Sequence, residues 1–336
     1  MAELVLIANA GDGTVSALIL HRDNPRLELL TTSSVGQGCS TFAVDTERDL
    51  VYAAFKGDPA GIATMRLDRA TGALTEISRR EVPASMTYLS LDASGTVLLG
   101  ASYGGGWGAT WPIGDDGRLG DPVSQIEYPN LHCVVMRDGR AYFVSLGADL
   151  IAQFDLAGDG TLTPLAPATV AQTEGCGPRH LVFDGADGYL ITEYSGEVIR
   201  HSVGADGTLT RAEVVNIVDP SAGLKHSRFG ADPRAEHLIW GADVHPAGRW
   251  LIASERSAST LATVSRDGGR LGEVVAFAST REQPRGFAVT ADGAYVIAVG
   301  ERATDAELHE VGADGTLTSL GTTPIGQGAN WVRIIQ

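Results

Sequence analysis

The sequence predicts an all-β chain made of seven copies of one four-stranded unit, and three observations carry that prediction. Gly is abundant, with 42 among 336 residues, while aromatic residues are modest. No window holds a sustained apolar 3.6-residue period, which argues against a helical bundle and for short strands between turns. A turn ending in Leu recurs at Leu27, Leu74, Leu119, Leu162, Leu209, Leu271 and Leu317. Five of its six separations lie between 43 and 47 residues and the remaining one is 62, against the ~40–50 residues of a four-stranded propeller blade.

Five of these seven turns hold Asp-Gly or Gly-Gly, the residues that accept the positive φ of a tight hairpin. Between the turns lies a second unit, two short strands joined by a turn, as in FAVDTERDLVYAAF, CVVMRDGRAYFVS and LVFDGADGYLITEY. Six copies are complete. The missing partners sit at the two ends, where Trp331 to Gln336 reads as a first strand and Leu4 to Ala10 as a second. Pairing them in one blade closes the ring and removes its exposed edges. Residues 1–336 therefore read as a single domain, a seven-bladed β-propeller of four-stranded antiparallel blades closed by its N- and C-terminal strands.

With the strands of each blade named A to D from the channel outward, the D-to-A and B-to-C connections share one face and the A-to-B and C-to-D turns share the other. The second face carries generic turns such as Asp138-Gly139 and Asp314-Gly315, expected to be solvated and little more. The first face carries chemistry. Segments entering the inner strands there hold His132, Arg179, His180, Trp240, Asp243, Arg285, Asn330 and Trp331, and the B-to-C ends add Asn9, Lys56, Tyr103, Glu193, Glu255, Arg256, Glu301 and Arg302. Charged groups converging at one channel mouth cost desolvation free energy unless they are paired or used on a ligand. The 62-residue interval places its surplus in a D-to-A connection, Asp219 to Trp240, whose Lys225, His226, Arg228, Arg234 and His237 suit either a solvated loop or a rim that attracts anions.

The formal net charge of −16 argues against nucleic acid as a partner. No apolar run reaches the ~18 residues of a membrane helix, and the opening residues lack the pattern of a signal peptide, so a soluble cytoplasmic protein is expected. Cys39, Cys133 and Cys176 are an odd count without metal-ligand spacing, which fits buried thiols in a reducing compartment.

Five segments, EGCGPRHLVF (Glu174 to Phe183), WGADVH (Trp240 to His245), ERSASTL (Glu255 to Leu261), QPRGFAV (Gln283 to Val289) and IGQGANWV (Ile325 to Val332), together with ASYGGG and Leu131-His132, carry a resemblance. The chain resembles the seven-bladed propeller lactonases of the bacterial 6-phosphogluconolactonase type, with the carboxymuconate-lactonising propeller enzymes as relatives. The resemblance implies His132, Arg179, Glu193 and Arg256 as catalytic residues, and His180, Asp243, His245, Gln283, Arg285, Tyr103 and Gln327 are expected to bind the substrate. Three departures leave the substrate open: Glu255 stands where relatives commonly carry Asp, Cys133 follows His132 in place of a small polar residue, and Gly-Ala-Asn follows Gln327.

What such a site implies is hydrolysis of an acidic sugar lactone, a phosphorylated aldonolactone or an aldaro- or aldonolactone. The alternatives are a lactonising cycloisomerase or a non-catalytic interaction scaffold. Opening the ring needs a base for water and a donor for the tetrahedral oxyanion. His132 or Glu193 can serve as base, with His132 favoured, and Arg179 is expected beside the carbonyl. No cofactor is implied. Glu193, Asp243, Asn9 and His132 offer oxygen and nitrogen ligands for a divalent ion, but Arg179 and Arg256 would repel it, so no metal is expected. The expected partner is a small anionic sugar lactone, with the protein a monomer or weak homo-oligomer.

Overall fold

A computed structural model describes residues 3–335, which form seven four-stranded sheets, every pairing antiparallel and every sheet in A-B-C-D order. Blade 1 takes its inner strand from the C-terminus: Ala329–Ile335 pairs with Glu3–Asn9, followed outward by Thr14–His21 and Arg26–Ser34. The closing register runs from Leu4 opposite Ile335 to Ala8 opposite Trp331. The inner strands of blades 2 to 7 are Thr41–Asp45, Tyr88–Leu91, Leu131–Arg137, Pro178–Asp184, Gly241–Ala247 and Gly286–Val289. The all-β ring and its closure are as the sequence predicts.

Burial explains the strand patterns. The second strands Leu50–Phe55, Val97–Ser102 and Trp250–Glu255 are buried at every position, because a blade packs on each of their faces; they read as nearly unbroken apolar runs for that reason. The outer strand Arg270–Ser279 alternates between exposed and partly covered residues, the period of a half-solvated sheet.

The turns expected to be merely solvated do more. Tyr52 Oη donates to Gly117 O at 3.1 Å, and Tyr142 Oη donates to Gly207 O at 2.6 Å. Tyr189 Oη makes the equivalent bond to Gly269 O. Each tyrosine stands on the second strand of its blade and reaches the C-to-D turn of the following one. The turn glycine's carbonyl thus latches two blades together, worth about 1 kcal/mol per bond.

The long D-to-A connection between blades 5 and 6 contains a short 3-10 turn at Pro220–Ala222. Its arginines are occupied, Arg228 on Glu236 at 2.7 Å and Arg234 on Glu282 at 3.5 Å. All three cysteines are buried and unpaired, and burial pushes each thiol up to about 12, which leaves them unreactive at neutral pH. Among the described residues no helix is long and apolar enough to cross a membrane.

Candidate active site

Four inner strands enter their sheets through a β-bulge, and each bulge falls on or beside a mouth residue. His132 is the extra residue between the Leu131–Ser145 and Cys133–Val144 pairs. Arg179 is the extra residue between Pro178–Thr192 and His180–Ile191. The shift in blade 6 lies between Gly241 and Val244, around Asp243, and that in blade 1 leaves Asn330 unpaired between Ala329 and Trp331. A bulge breaks the two-residue alternation, so a side chain that would point into the blade is re-aimed at the channel.

The GCGPR turn that delivers Arg179 is pinned from the neighbouring blade. Asp149 accepts the backbone N–H of Gly175 at 2.7 Å and of Gly177 at 2.9 Å. Gly177 has φ +64 and lies against the Tyr194 ring, where a Cβ would come within 2.6 Å. Both facts require glycine.

Glu193 is the hub of the charged cluster. Its Oε2 accepts from Arg179 Nε at 3.0 Å and from Arg256 Nη2 at 2.7 Å. Burial alone would push this carboxyl up, but Arg256 and Arg179 outweigh it and hold it below the usual carboxylate range. Arg256 stacks on Trp240, with 3.9 Å from guanidinium carbon to ring centroid, and bonds the carbonyls of Trp240 and Gly241. Glu255, the departure noted in the sequence, accepts the N–H groups of Trp240, Ser257 and Ala258 and so shapes the turn that carries Arg256. Beside this cluster Arg285 pairs with Glu301 at 2.9 Å, and Gln283 donates to the same carboxylate.

Arg179 is 1% exposed, as enclosed as Glu255. Its Nη1 bonds the Ala242 carbonyl and faces His180 Nε2 at 3.1 Å. Burial, then Arg256 and Arg285, push it down to about 9, still protonated at neutral pH. Because arginine can only donate, His180 Nε2 must accept, which puts the imidazole proton on Nδ1. From there it donates to Asp243 Oδ1 at 2.8 Å, while His245 Nε2 meets Asp243 Oδ2 at 3.2 Å. Burial and Arg179 push His180 down to about 3, so it is a neutral donor. Burial opposes ionisation of Asp243, but His245 and His180 keep its carboxyl well below the usual range.

His132 differs from its neighbours. It is buried, packs edge-on against Tyr103 at 5.7 Å and lies 5.1 Å from His180, ring centroid to ring centroid. Its Nδ1 has no hydrogen-bond partner. Burial first, then Arg179 and His180, holds it well below the usual histidine range, so the ring is neutral.

These groups border a cavity of about 370 Å³ at the channel mouth, lined by Lys56, Ser85, Thr87, Tyr103, Gly104, His132, Glu193, Trp240, Arg256 and Arg285, a size suited to a small metabolite. Of the eleven residues named from the sequence, Tyr103, His132, Glu193, Arg256 and Arg285 are on its wall. Arg179 and Gln283 stand one layer behind, holding Glu193 and Glu301. His180, Asp243 and His245 form a hydrogen-bonded chain between blades 5 and 6, and Gln327 is exposed on the rim with its N–H on Asp12. Ser85 and Thr87 escaped sequence reasoning because small hydroxyl residues before a strand carry no chemical signature of their own. A larger cavity, about 1010 Å³, is a shallow groove on the opposite face between blades 5 and 6, lined by Asp184 to Asp187, Arg249, Arg266 and turn glycines; none of the mouth groups reaches it. Among the described residues no cluster of three or more His, Cys, Asp or Glu side chains is disposed to hold a metal ion.

A closed seven-bladed ring with a charged, metabolite-sized cavity on its axis defines a β-propeller with a small-molecule site at one mouth. Residues 6–334 match the family model described as "Lactonase, 7-bladed beta-propeller", and the chain belongs to that family. It is 32% identical to the 6-phosphogluconolactonase of Serratia proteamaculans, covering 100% of this chain and 99% of the relative, and 29% identical to that of Sodalis glossinidius over the same shares. Among solved structures, the periplasmic gluconolactonase of Pseudomonas aeruginosa superposes with a TM-score of 0.88, covering 100% of this chain and 99% of the other at 21% identity, which establishes likeness of fold.

Proposed function

We propose that this chain hydrolyses an acidic sugar lactone, 6-phosphoglucono-1,5-lactone or an aldaro- or aldono-1,5-lactone, at the mouth of the central channel. The family and the names of its relatives support the reaction class. The observation that carries the residue assignment is His132: a neutral, buried imidazole on the cavity wall with one nitrogen unpartnered.

His132 takes a proton from water as the oxygen attacks the lactone carbonyl. Arg256, one of the two guanidiniums on the cavity wall, donates to the tetrahedral oxyanion. As the intermediate collapses, the bond to the ring oxygen breaks, and the imidazolium returns its proton to that oxygen, giving the open hydroxy acid. Its lowered basicity keeps His132 unprotonated, and so available as a base, at neutral pH. Glu193 is the weaker candidate for base, since two guanidiniums occupy its Oε2; its role is to orient them. Arg179 acts behind Glu193 as a positioning residue. The free buried thiols accord with a cytoplasmic setting.

The test is a pH-stat assay of acid release from a panel of these lactones, corrected for spontaneous opening. Turnover of at least one, saturable and abolished by heat inactivation, is expected. No acceleration of any of them would overturn the reading.

A further inference from the structure

The cavity has a second end that the hydrolytic groups do not use. Glu193 and Arg256 stand on blades 5 and 6, whereas Lys56 projects from the B-to-C connection of blade 2, three blades away around a ring of seven. Four cationic side chains, Lys56, Arg179, Arg256 and Arg285, face or back two carboxylates, Glu193 and Glu301. Each arginine has a carboxylate partner within the cluster. Lys56 makes no close ion pair among the described residues and feels Glu301 only through its field.

Lys56 is also held in place. Its N–H donates to Gln37 O at 2.8 Å, and its aliphatic stem lies over Gly38, where a Cβ would come within 2.9 Å of the stem. Two hydroxyls line the same cavity: Ser85, and Thr87, whose Oγ1 accepts the Tyr103 N–H at 3.0 Å and so keeps its own hydrogen to donate. A compact ammonium, a guanidinium and hydroxyl donors on the wall of one small cavity are groups that satisfy the several oxygens of a doubly charged tetrahedral anion.

We propose that Lys56, with Arg285 and the hydroxyls of Ser85 and Thr87, forms an anion subsite for the phosphate of a phosphorylated sugar lactone. The inference rests on the hydrolytic reading and narrows it. In a 6-phospho-1,5-lactone the ring oxygen joins the carbonyl carbon C1 to C5, and C5 carries the exocyclic C6 that bears the phosphate. One molecule can therefore present its ester to Arg256 and His132 while its phosphate reaches Lys56. Partial desolvation first, then the charge of Arg285, holds the Lys56 ammonium below its usual range against the opposing field of Glu301, and the charge of a bound dianion would raise it.

The experiment compares wild type, Lys56→Met and Lys56→Arg on 6-phosphoglucono-1,5-lactone, glucono-1,5-lactone and glucaro-1,5-lactone, and titrates each protein with inorganic phosphate by calorimetry. Loss of one charge-assisted contact predicts a fall of about 10- to 100-fold in the ratio of kcat/KM for the phosphorylated over the unphosphorylated lactone in Lys56→Met, carried by KM. Inorganic phosphate affinity falls in parallel, and Lys56→Arg restores most of both. An unchanged ratio with unchanged phosphate affinity overturns the proposal. So does a larger penalty on glucarolactone, which would make the subsite one for a carboxylate. If no lactone is turned over yet phosphate binding depends on Lys56, the subsite stands and the hydrolytic reading falls.

Discussion

The inner strands fall into two kinds. Those of blades 1, 4, 5 and 6 enter with a bulge at the mouth and present Asn330, His132, Arg179 and Asp243 there. Those of blades 2, 3 and 7 pair without a shift and supply packing: Phe42 offers its carbonyl to Trp331 Nε1 at 3.0 Å, Tyr88 packs edge-on against His180 and Trp331, and Phe287 against His245. A regular ladder satisfies its backbone and spends its side chains on the core. A bulged one gives up a ladder position and gains a polar group aimed at the channel. Among the mouth residues, those carried by the inner strands themselves thus fall on or beside the breaks in the repeat, while Thr87 and Arg285 come from the segments just before unbulged strands.

Substitutions on the two kinds of strand test that contrast. His132→Ala, on a bulged strand, is expected to lower kcat by about 10²–10⁴-fold with little change in KM; near-parental turnover by a folded variant would remove His132 from the mechanism. Arg256→Met, which leaves Glu193 to Arg179, is expected to cost about 10²–10³-fold in kcat/KM. Asp243→Asn breaks the buried chain to His180 and His245 and should lower the unfolding free energy by about 3 kcal/mol, read from the urea midpoint. Tyr88→Phe, on a regular strand, should change kcat/KM by less than about threefold and cost about 1 kcal/mol. A catalytic defect in Tyr88→Phe matching that of His132→Ala would erase the distinction.

Acidification probes the same chain. His180 titrates at about 3 when folded, below the ~6.5 of an unfolded histidine. Between those values the unfolded chain binds the extra proton, so this contribution is complete above about pH 6.5 and is lost as pH falls towards 3. His132, shifted in the same direction, adds to it. Urea midpoints should decline steadily across that window, and Asp243→Asn should alter the slope.

Periodicity made the ring legible from sequence, because seven turns ending in Leu mark blades of nearly constant length, and the incomplete copies at the two ends disclosed the shared blade. The polar mouth followed from antiparallel geometry alone. The bulges were hidden: one inserted residue in LHCVV or PRHLVF alters neither the apolar count nor the turn spacing, so which way Arg179 and His180 point depends on a register known only with the partner strand in hand. The same limit concealed that Arg179 backs Glu193 while Arg256 faces the cavity. Likewise nothing in an Asp-Gly turn announces that a tyrosine of the preceding blade will bond its carbonyl.

Ring closure has a consequence for the order in which the protein becomes competent. Trp331, which lies against Tyr88 and His180 and bonds Phe42, and Asn330 of the mouth belong to the inner strand that completes the first blade. On the ribosome these residues follow all the other strands. Six blades can be assembled while the seventh still lacks its innermost member. The candidate site is thus finished only by the last of the propeller's strands to be synthesised, and a chain truncated before Asn330 would hold the other strands of the ring without a completed site.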